Sequence, residues 1–582
     1  MIAQRADKLS EAARALEGAR FFPFWLDDPD RPLPAPALVQ DIDTDLLIVG
    51  GGFTGLWAAL QAKEQRPERD VVLIEADAVA SGATGRPGAI LSTSLMHGMA
   101  NSARLFGSEM VELERLGKEN MDAFRETVER YEIACDVEWT GELTVAVGQE
   151  GIGEVEAAHA LYRQYGHDAH LLDREQVQQE LNAPLFHAGL WSKQRAGTIN
   201  PAKLAWGLKR AAQSLGVRFY ENTPMVRSRR AKASIEVDTN RARVTAGRVL
   251  LATNAFTRYK RKIAARVASI CDRIIVTEPL THDQLAELGW RNRQGIYDTR
   301  TQLNYLRLTG DNRVLFGGRL GYFFGNNTDP DEDRTPAPYL RLVSAFYETL
   351  PALKGIPISH AWSGPIALTT RMAVHYQSYH GARMLYAGGY SGFGVTASRF
   401  AARVALAGCM GTGNIPSAST PITQSEAQMG AEAHPQLLNE FGGAMSGSHA
   451  QYVEQVGKNI AVQSGLGNAR ESFTVSLLNS PVNNAFAIPG GYVYTTRQLV
   501  ALMNNEAELA AVLGHEVGHV AARHSPSLHR LNSQASHRRL IRPTRRFSFC
   551  SGGLIATCAF VRALWCRLLA RCFRRRCRHL HL

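Results

Sequence analysis

The chain has 582 residues, too many for one hydrophobic core, so two to four domains are expected. Its 45% hydrophobic and 20% charged residues are those of ordinary globular protein and exclude a fibrous or wholly disordered class. The net charge of +11 first suggests a nucleic-acid or anionic-membrane partner, but residues 517–582 hold fourteen arginines and no Lys, Asp or Glu, which leaves residues 1–516 at −3.

Residues 1–44 read as an N-terminal arm. Residues 1–20 are polar, Ala-rich and helical in pattern, without the basic-then-apolar order of a signal peptide, so a cytoplasmic location is expected. Residues 21–36, rich in Pro and aromatics, read as an extended arm packed on the domain or, alternatively, as part of a substrate entrance. Then comes Leu46-Leu-Ile-Val-Gly-Gly-Gly-Phe-Thr-Gly55, a buried parallel strand turning into a helix. Gly50, Gly52 and Gly55 have the G-x-G-x-x-G spacing: a tight turn, a close approach of backbone to a pyrophosphate, and close packing of helix on strand. A second strand, Val71-Val-Leu-Ile-Glu-Ala76, ends in Glu75, twenty residues after Gly55, where a carboxylate can accept both ribose hydroxyls.

Ser81-Gly-Ala-Thr-Gly-Arg-Pro-Gly-Ala89 is a small-residue loop able to lie against a flat ring or to serve as a plain connector. Helical periodicity over 101–135 and 151–182 brackets a strand at 141–147 and marks an insertion. The nucleotide part returns with Gly197-Thr-Ile-Asn-Pro201, a helix at 202–215, a strand at 217–220, a β-ribbon, and the buried strand Arg248-Val-Leu-Leu-Ala-Thr-Asn-Ala255. A second, strand-rich insertion includes Leu303-Asn-Tyr-Leu-Arg-Leu308 and Arg313-Val-Leu-Phe-Gly-Gly-Arg319. A last strand, glycine turn and helix follow in residues 384–408, and that helix start could face the electron-rich end of a bound ring.

Residues 22–412 resemble the FAD-dependent oxidoreductases of the D-amino-acid-oxidase/glycine-oxidase superfamily, in the branch of γ-glutamylputrescine oxidoreductase-like enzymes. The resemblance rests on four motifs in order: Gly50–Gly55 with Glu75, the Gly82–Gly88 loop, Ala252-Thr-Asn-Ala255, and Gly389-Tyr-Ser-Gly-Phe-Gly-Val395. It implies a Rossmann-type α/β FAD domain (about 45–100, 197–260 and 360–412) with an interleaved α+β substrate part (about 101–196 and 261–359). It also implies non-covalent FAD held by Gly50, Gly52, Gly55, Glu75, Gly82, Thr84, Gly85, Arg86, Ala252, Gly392, Gly394 and Val395. The reaction implied is hydride transfer from an amine or amino acid to flavin, with O2 or another acceptor reoxidising it. His97, Tyr305, Arg307 and Arg319 are candidates for the substrate wall, with an ordinary structural role as the favoured alternative for each; Arg307 could hold a carboxylate bidentately or, as strand arginines more often do, face solvent. The sequence departs from the branch at Pro87, where Asn is common, and at Phe393, where His is common.

A polar linker at 413–425 opens a second chemistry. Beyond an amphipathic helix at 451–464, a strand at 473–478 and a hairpin at 484–495, a helix from about 506 carries His515-Glu-Val-Gly-His519. Two imidazoles four residues apart share one helix face and suit Zn²⁺, with Glu516 placed to deprotonate metal-bound water. Residues 426–525 resemble the start of an M48-family zinc metallopeptidase. That family's third ligand is a later Glu, whereas no Asp or Glu follows Glu516 here. The expectation is an incomplete zincin-like domain and an unordered Arg/Cys-rich tail at 526–582 whose reading frame has been lost. Five of the eight cysteines crowd that tail, while Cys135, Cys271 and Cys409 are scattered singly, as buried thiols in a reducing compartment would be. Two rival readings stay open: a working metalloendopeptidase with an appended flavoprotein, and a basic-tailed nucleic-acid or membrane-surface binder. The main reading expects a small amine or amino-acid partner, no nucleic acid and no transmembrane span.

Overall fold

The computed structural model describes residues 2–503 apart from 195, 258–259, 323–327, 330–332, 381, 411–421, 462–471 and 483, together with 509, 512, 513, 516, 517 and 520. The chain divides into two units, Met1–Met410 and Gly411–Leu582. The expected tail and most of the expected linker therefore lie outside the described residues. Among the described residues no helix is long and apolar enough to cross a membrane.

The first unit contains two eight-stranded sheets. The nucleotide sheet is built on Ile42–Val49, whose apolar second half is buried on both faces, as a central parallel strand must be. It pairs in parallel with Val71–Ile74 on one side and Arg243–Leu251 on the other; Arg218–Tyr220 and Met384–Gly388 extend the two flanks. The expected β-ribbon, Met225–Arg230 and Ile235–Thr239, adds antiparallel to Arg243–Leu251. Helices Phe53–Gln65, Pro201–Ser214 and Gly394–Met410 supply apolar faces to the core that contains Leu46, Ile48, Trp57 and Leu250. Asn200 caps the second of these, its side chain accepting from the N–H groups of Ala202 and Lys203, with Pro201 at the first helical position.

The two insertions form one sheet. Strands from the second insertion run in the order Ile358–Thr369, Val267–Thr277, Val314–Tyr322, Tyr305–Leu308, Gly295–Asp298. The last pairs in parallel with Glu142–Val147 of the first insertion, which continues to Phe186–Ser192 and Ala169–Leu172. One boundary differs from expectation. Ile358–Thr369 pairs along its length with Val267–Thr277, so it belongs to the substrate sheet, and the return to the nucleotide sheet comes at His375–Tyr379 rather than at 360.

The N-terminal helix Ile2–Ala15 buries Ala12 and Ala15 in the substrate-part core with Leu342, Val343 and Phe346. Residues 21–36 contain a 3₁₀ turn, Phe24–Leu26, with Trp25 and Leu26 buried. Further along, the Glu221 carboxylate ties three segments together. It accepts from the N–H of Ala35 at 2.5 Å and of Val79 at 2.6 Å, and it pairs with Lys209. Both ionic side chains are buried. Removing one partner from a buried pair costs about 3–5 kcal/mol, so Lys209→Met is expected to lower the urea midpoint by that amount of stability. A loss below ~1 kcal/mol would contradict the buried pair. Cys135 and Cys271 are buried free thiols, each pushed up to about 12 by burial; the Cys409 side chain lies outside the described residues.

In the second unit, Thr474–Leu478, Tyr492–Thr496 and Ala485–Ile488 form a three-stranded sheet, packed with Ser448–Ala461 through Val453, Val456 and Val475. A helix the sequence reading missed, Gln424–Glu440, precedes them, opened by a Thr423/Glu426 capping box.

Candidate active site

Four chain segments meet at the end of the central strand. Gly50 turns out of it at φ +113°, and a Cβ there would stand 2.8 Å from the carbonyl oxygen of Ala252, so only glycine lets the two strand ends close. Gly52 starts the helix Phe53–Gln65, and a Cβ on it would stand 3.0 Å from Thr84 Oγ1. That hydroxyl accepts the Phe53 N–H at 3.0 Å, which fixes the Gly82–Gly88 loop against the helix start. Thr54 Oγ1 lies 2.6 Å from the Tyr390 hydroxyl, bringing in the 389–395 turn, while Asn254 Oδ1 accepts the Gly389 N–H at 2.9 Å. Gly392 takes the left-handed conformation just before the helix Gly394–Met410. The sequence-expected cofactor residues on these segments are thus brought together.

Glu75 lies at the same place. Its two oxygens accept the N–H of Gly51 at 2.5 Å and of Asp77 at 3.1 Å, and burial raises its carboxyl pKa against these backbone donors. Each carboxylate oxygen retains a second lone pair for a ribose hydroxyl. The helix start has no side-chain cap from Gly52 itself, which suits a pyrophosphate on the free N–H groups. The donor set and the glycine cradle fit a dinucleotide.

The Gly82–Gly88 loop is held from several directions, by the expected Arg86 and by two tryptophans the sequence reading did not single out. Arg86 is buried, donating to the carbonyls of Ser81 at 2.9 Å and Ser363 at 3.0 Å, so its role is to fix the loop. Trp25 Nε1 donates to Pro87 O at 2.9 Å, and Trp362 Nε1 to Arg86 O at 3.0 Å. The expected arm therefore props the loop. Tryptophans placed before and after an insertion carried no spacing signal that could have revealed this.

The substrate-wall candidates separate. The His97 ring packs edge-on against Phe393 at 4.8 Å; its Nδ1 is buried without a partner among the described residues, and burial lowers its pKa. The Tyr305 ring lies against Gly88, and its hydroxyl donates to Asp272 Oδ2 at 2.5 Å. Arg307 does not present a free guanidinium. Nε donates to Leu308 O at 3.0 Å, Nη1 donates to Ala89 O at 3.2 Å and Ile199 O at 2.7 Å, and the guanidinium stands 5.3 Å over the Trp25 ring. Burial pulls its pKa down to about 9, still charged at neutral pH. A carboxylate clamp needs exposed paired donors; Arg307 instead buttresses the loop from below. Arg319 sits at φ +60°, and its buried Nε has no partner among the described residues.

Residues 45–407 match the family described as FAD dependent oxidoreductase. The chain belongs to that family. It is 31% identical over 383 residues to gamma-glutamylputrescine oxidoreductase of Escherichia coli K12, covering 64% of this chain and 84% of that one. Glycine oxidase from Geobacillus kaustophilus shares the fold, with a TM-score of 0.55 at 16% identity, over 64% of this chain and 96% of that one. FAD is accordingly the dinucleotide of the first unit. Residues 448–537 match Peptidase family M48. Over 103 residues, 17% of this chain, the protein is 34% identical to the mitochondrial metalloendopeptidase OMA1 of Schizosaccharomyces pombe, but spans only 30% of that relative. The protein is an FAD-dependent oxidoreductase fused to an M48 segment.

Within that segment Glu516 is helical and buried, and burial raises its pKa to about 7. His515 and His519 lie outside the described residues.

Glu75→Ala removes the partner of the Gly51 N–H and the two carboxylate oxygens expected to receive the ribose hydroxyls. Hydrogen bonds to charged groups contribute about 1.5–3 kcal/mol each, so FAD affinity should fall by at least about tenfold in a fluorescence titration; an unchanged affinity would contradict the ribose assignment.

Proposed function

We propose that residues 45–412 oxidise a primary or secondary amine or an amino acid, with O2 or another acceptor taking the electrons. What supports this reading is the meeting of four cofactor segments at one strand end, joined to the likeness to an enzyme named for an amine substrate. Bound FAD supplies the two-electron acceptor. The chain's own residues then have three tasks. Gly50, Gly52 and Gly55 leave room for the pyrophosphate beside the N–H groups at the helix start, while Glu75 takes the ribose. Gly82, Thr84, Gly85 and Arg86 hold the ring-side loop, closed by Ala252 on one side and by Gly392, Gly394 and Val395 on the other. His97 and Tyr305 wall the substrate space and exclude water from a nitrogen that must be neutral to react. The purified chain should be yellow, bleach anaerobically with a member of an amine and amino-acid panel, and give peroxide in air. A yellow protein that no amine or amino acid bleaches would refute the substrate class.

For the second unit we propose that residues 426–525 by themselves do not hydrolyse peptides. Catalytic zinc takes three protein ligands and a water. His515 and His519 supply two, and within these 582 residues no acid follows Glu516. Zinc at one equivalent per chain, with chelator-sensitive peptide cleavage lost in Glu516→Gln, would favour the metallopeptidase reading instead. Nucleic-acid binding that weakens steeply with salt and vanishes on deletion of 526–582 would favour the basic-tail reading.

A further inference from the structure

The substrate sheet carries a buried acid, Asp272, one of whose carboxylate oxygens has no partner among the described residues. Asp272 lies on Val267–Thr277, where the pairing with Val314–Tyr322 slips: Cys271 is opposite Gly321, and Arg273 is opposite Gly318. The slip is a bulge in a strand paired on both sides; a bulge re-aims a side chain and is over-represented next to active sites. On the other flank Asp272 is in register with Gly364, over which Arg86 of the loop lies. Tyr305, whose ring rests on Gly88 of the ring-side loop, donates to Oδ2 at 2.5 Å. The other oxygen, Oδ1, is buried without a partner among the described residues, and Asp272 as a whole is 8% exposed. Its neighbour Arg273 is committed to Asp333 at 2.8 Å. A buried carboxylate oxygen without a donor is costly. Such a group is retained where something outside the protein meets it.

We propose that Asp272 Oδ1 receives the nitrogen of the substrate amine, with Tyr305 holding the carboxylate in place through Oδ2. The inference rests on the amine-oxidising reading above. An incoming ammonium gives one N–H proton to Oδ1: the N–H bond breaks, an O–H bond forms, and the nitrogen keeps the electron pair. No electron leaves the substrate in this step; it produces the neutral amine that oxidation requires. The acid is poised for the exchange. Burial pushes its pKa up to about 7, against the opposing pull of the Tyr305 phenol, the Arg273 N–H and the Arg273 guanidinium. The other charged groups on the packed elements are Arg319 across the bulge and Arg86 on the loop, the latter bound to backbone carbonyls. Capture of an ammonium needs the ionised carboxylate, so amine affinity should rise as pH passes through about 7.

The test uses the FAD-loaded full chain and n-butylamine, followed anaerobically by perturbation of flavin absorbance from pH 6 to 9. Asp272→Asn keeps the shape and the phenol contact and removes the proton acceptor. It should retain FAD with an unaltered spectrum, bind butylamine at least about thirtyfold more weakly, and lose the rise near pH 7. Tyr305→Phe leaves the acid but removes a donor that lowers its pKa, so the rise should move to higher pH. Unchanged butylamine affinity and pH dependence in Asp272→Asn, or an unmoved rise in Tyr305→Phe, overturns the assignment. A wild-type protein that holds FAD but responds to no amine overturns the broader reading, and the inference with it. Those outcomes are distinct from a variant that behaves as wild type.

Discussion

Gly55→Ala is expected to purify without flavin. A Cβ at Gly55 would fall on the carbonyl oxygen of Gly50, far inside van der Waals contact, with the Ile48 side chain behind it at 3.3 Å. Both neighbours belong to the central strand and its turn, so the helix Phe53–Gln65 must move as a body. Overpacking costs about 1–3 kcal/mol where side chains can give way, and here the obstacle is backbone, which places the cost at the upper end or beyond. At 1.4 kcal/mol per decade, FAD affinity should fall by roughly a hundredfold or more. Gly52→Val offers a comparison with the opposite balance. Its Cβ meets only the Thr84 hydroxyl at 3.0 Å, so the fold should survive while the added methyl groups occupy the pyrophosphate space. A folded, colourless Gly52→Val protein is the expected result; one that keeps its flavin would mean that the pyrophosphate lies elsewhere.

The second large effect is expected at Arg307. Its guanidinium joins the carbonyls of Ala89 and Ile199, the points where the ring-side loop and the return to the nucleotide part pass beneath the cofactor segments. Arg307→Met keeps the apolar stem but removes a charged donor from the carbonyls of Ile199, Leu308 and Ala89, of which Ala89 keeps the Ile199 N–H; hydrogen bonds to charged groups contribute about 1.5–3 kcal/mol each. We expect about 3–5 kcal/mol of lost stability in urea unfolding, together with poorer flavin retention. The alternative, in which Arg307 clamps a substrate carboxylate, predicts a stable yellow protein with weakened binding of carboxylated substrates alone. The two outcomes separate cleanly on flavin content.

These expectations show where the chain was legible. Gly50, Gly52, Gly55 and Glu75 could be read directly, because strand, turn and helix are contiguous and each glycine has a local steric cause. The four cofactor segments could be ordered, since each ends a buried strand or opens a helix. The substrate sheet was not legible as one sheet. Its joint, Gly295–Asp298 on Glu142–Val147, is a parallel pairing across some 150 residues, and neither strand's pattern names its partner. The boundary expected at about 360 cuts through Ile358–Thr369, whose pairing with the distant Val267–Thr277 no local pattern names. The helix Gln424–Glu440 did carry a signal in Thr423-x-x-Glu426, obscured by Pro435 within it. Asp272 had none: it sits within an apolar run, and only the slipped register and the Tyr305 contact reveal it. The favoured structural role of Arg307 agrees with its buried guanidinium, but the sequence did not show that the Ala89 and Ile199 carbonyls draw it inward rather than leaving it facing solvent.

The central claim is that the ends of the nucleotide-sheet strands form one FAD site that serves amine oxidation. Flavin stoichiometry with anaerobic amine titration on the purified full chain tests it most directly. The account predicts one FAD released per chain on denaturation, and flavin absorbance lost on stoichiometric addition of a substrate amine or amino acid. A colourless chain that does not take up FAD when the cofactor is supplied would contradict it.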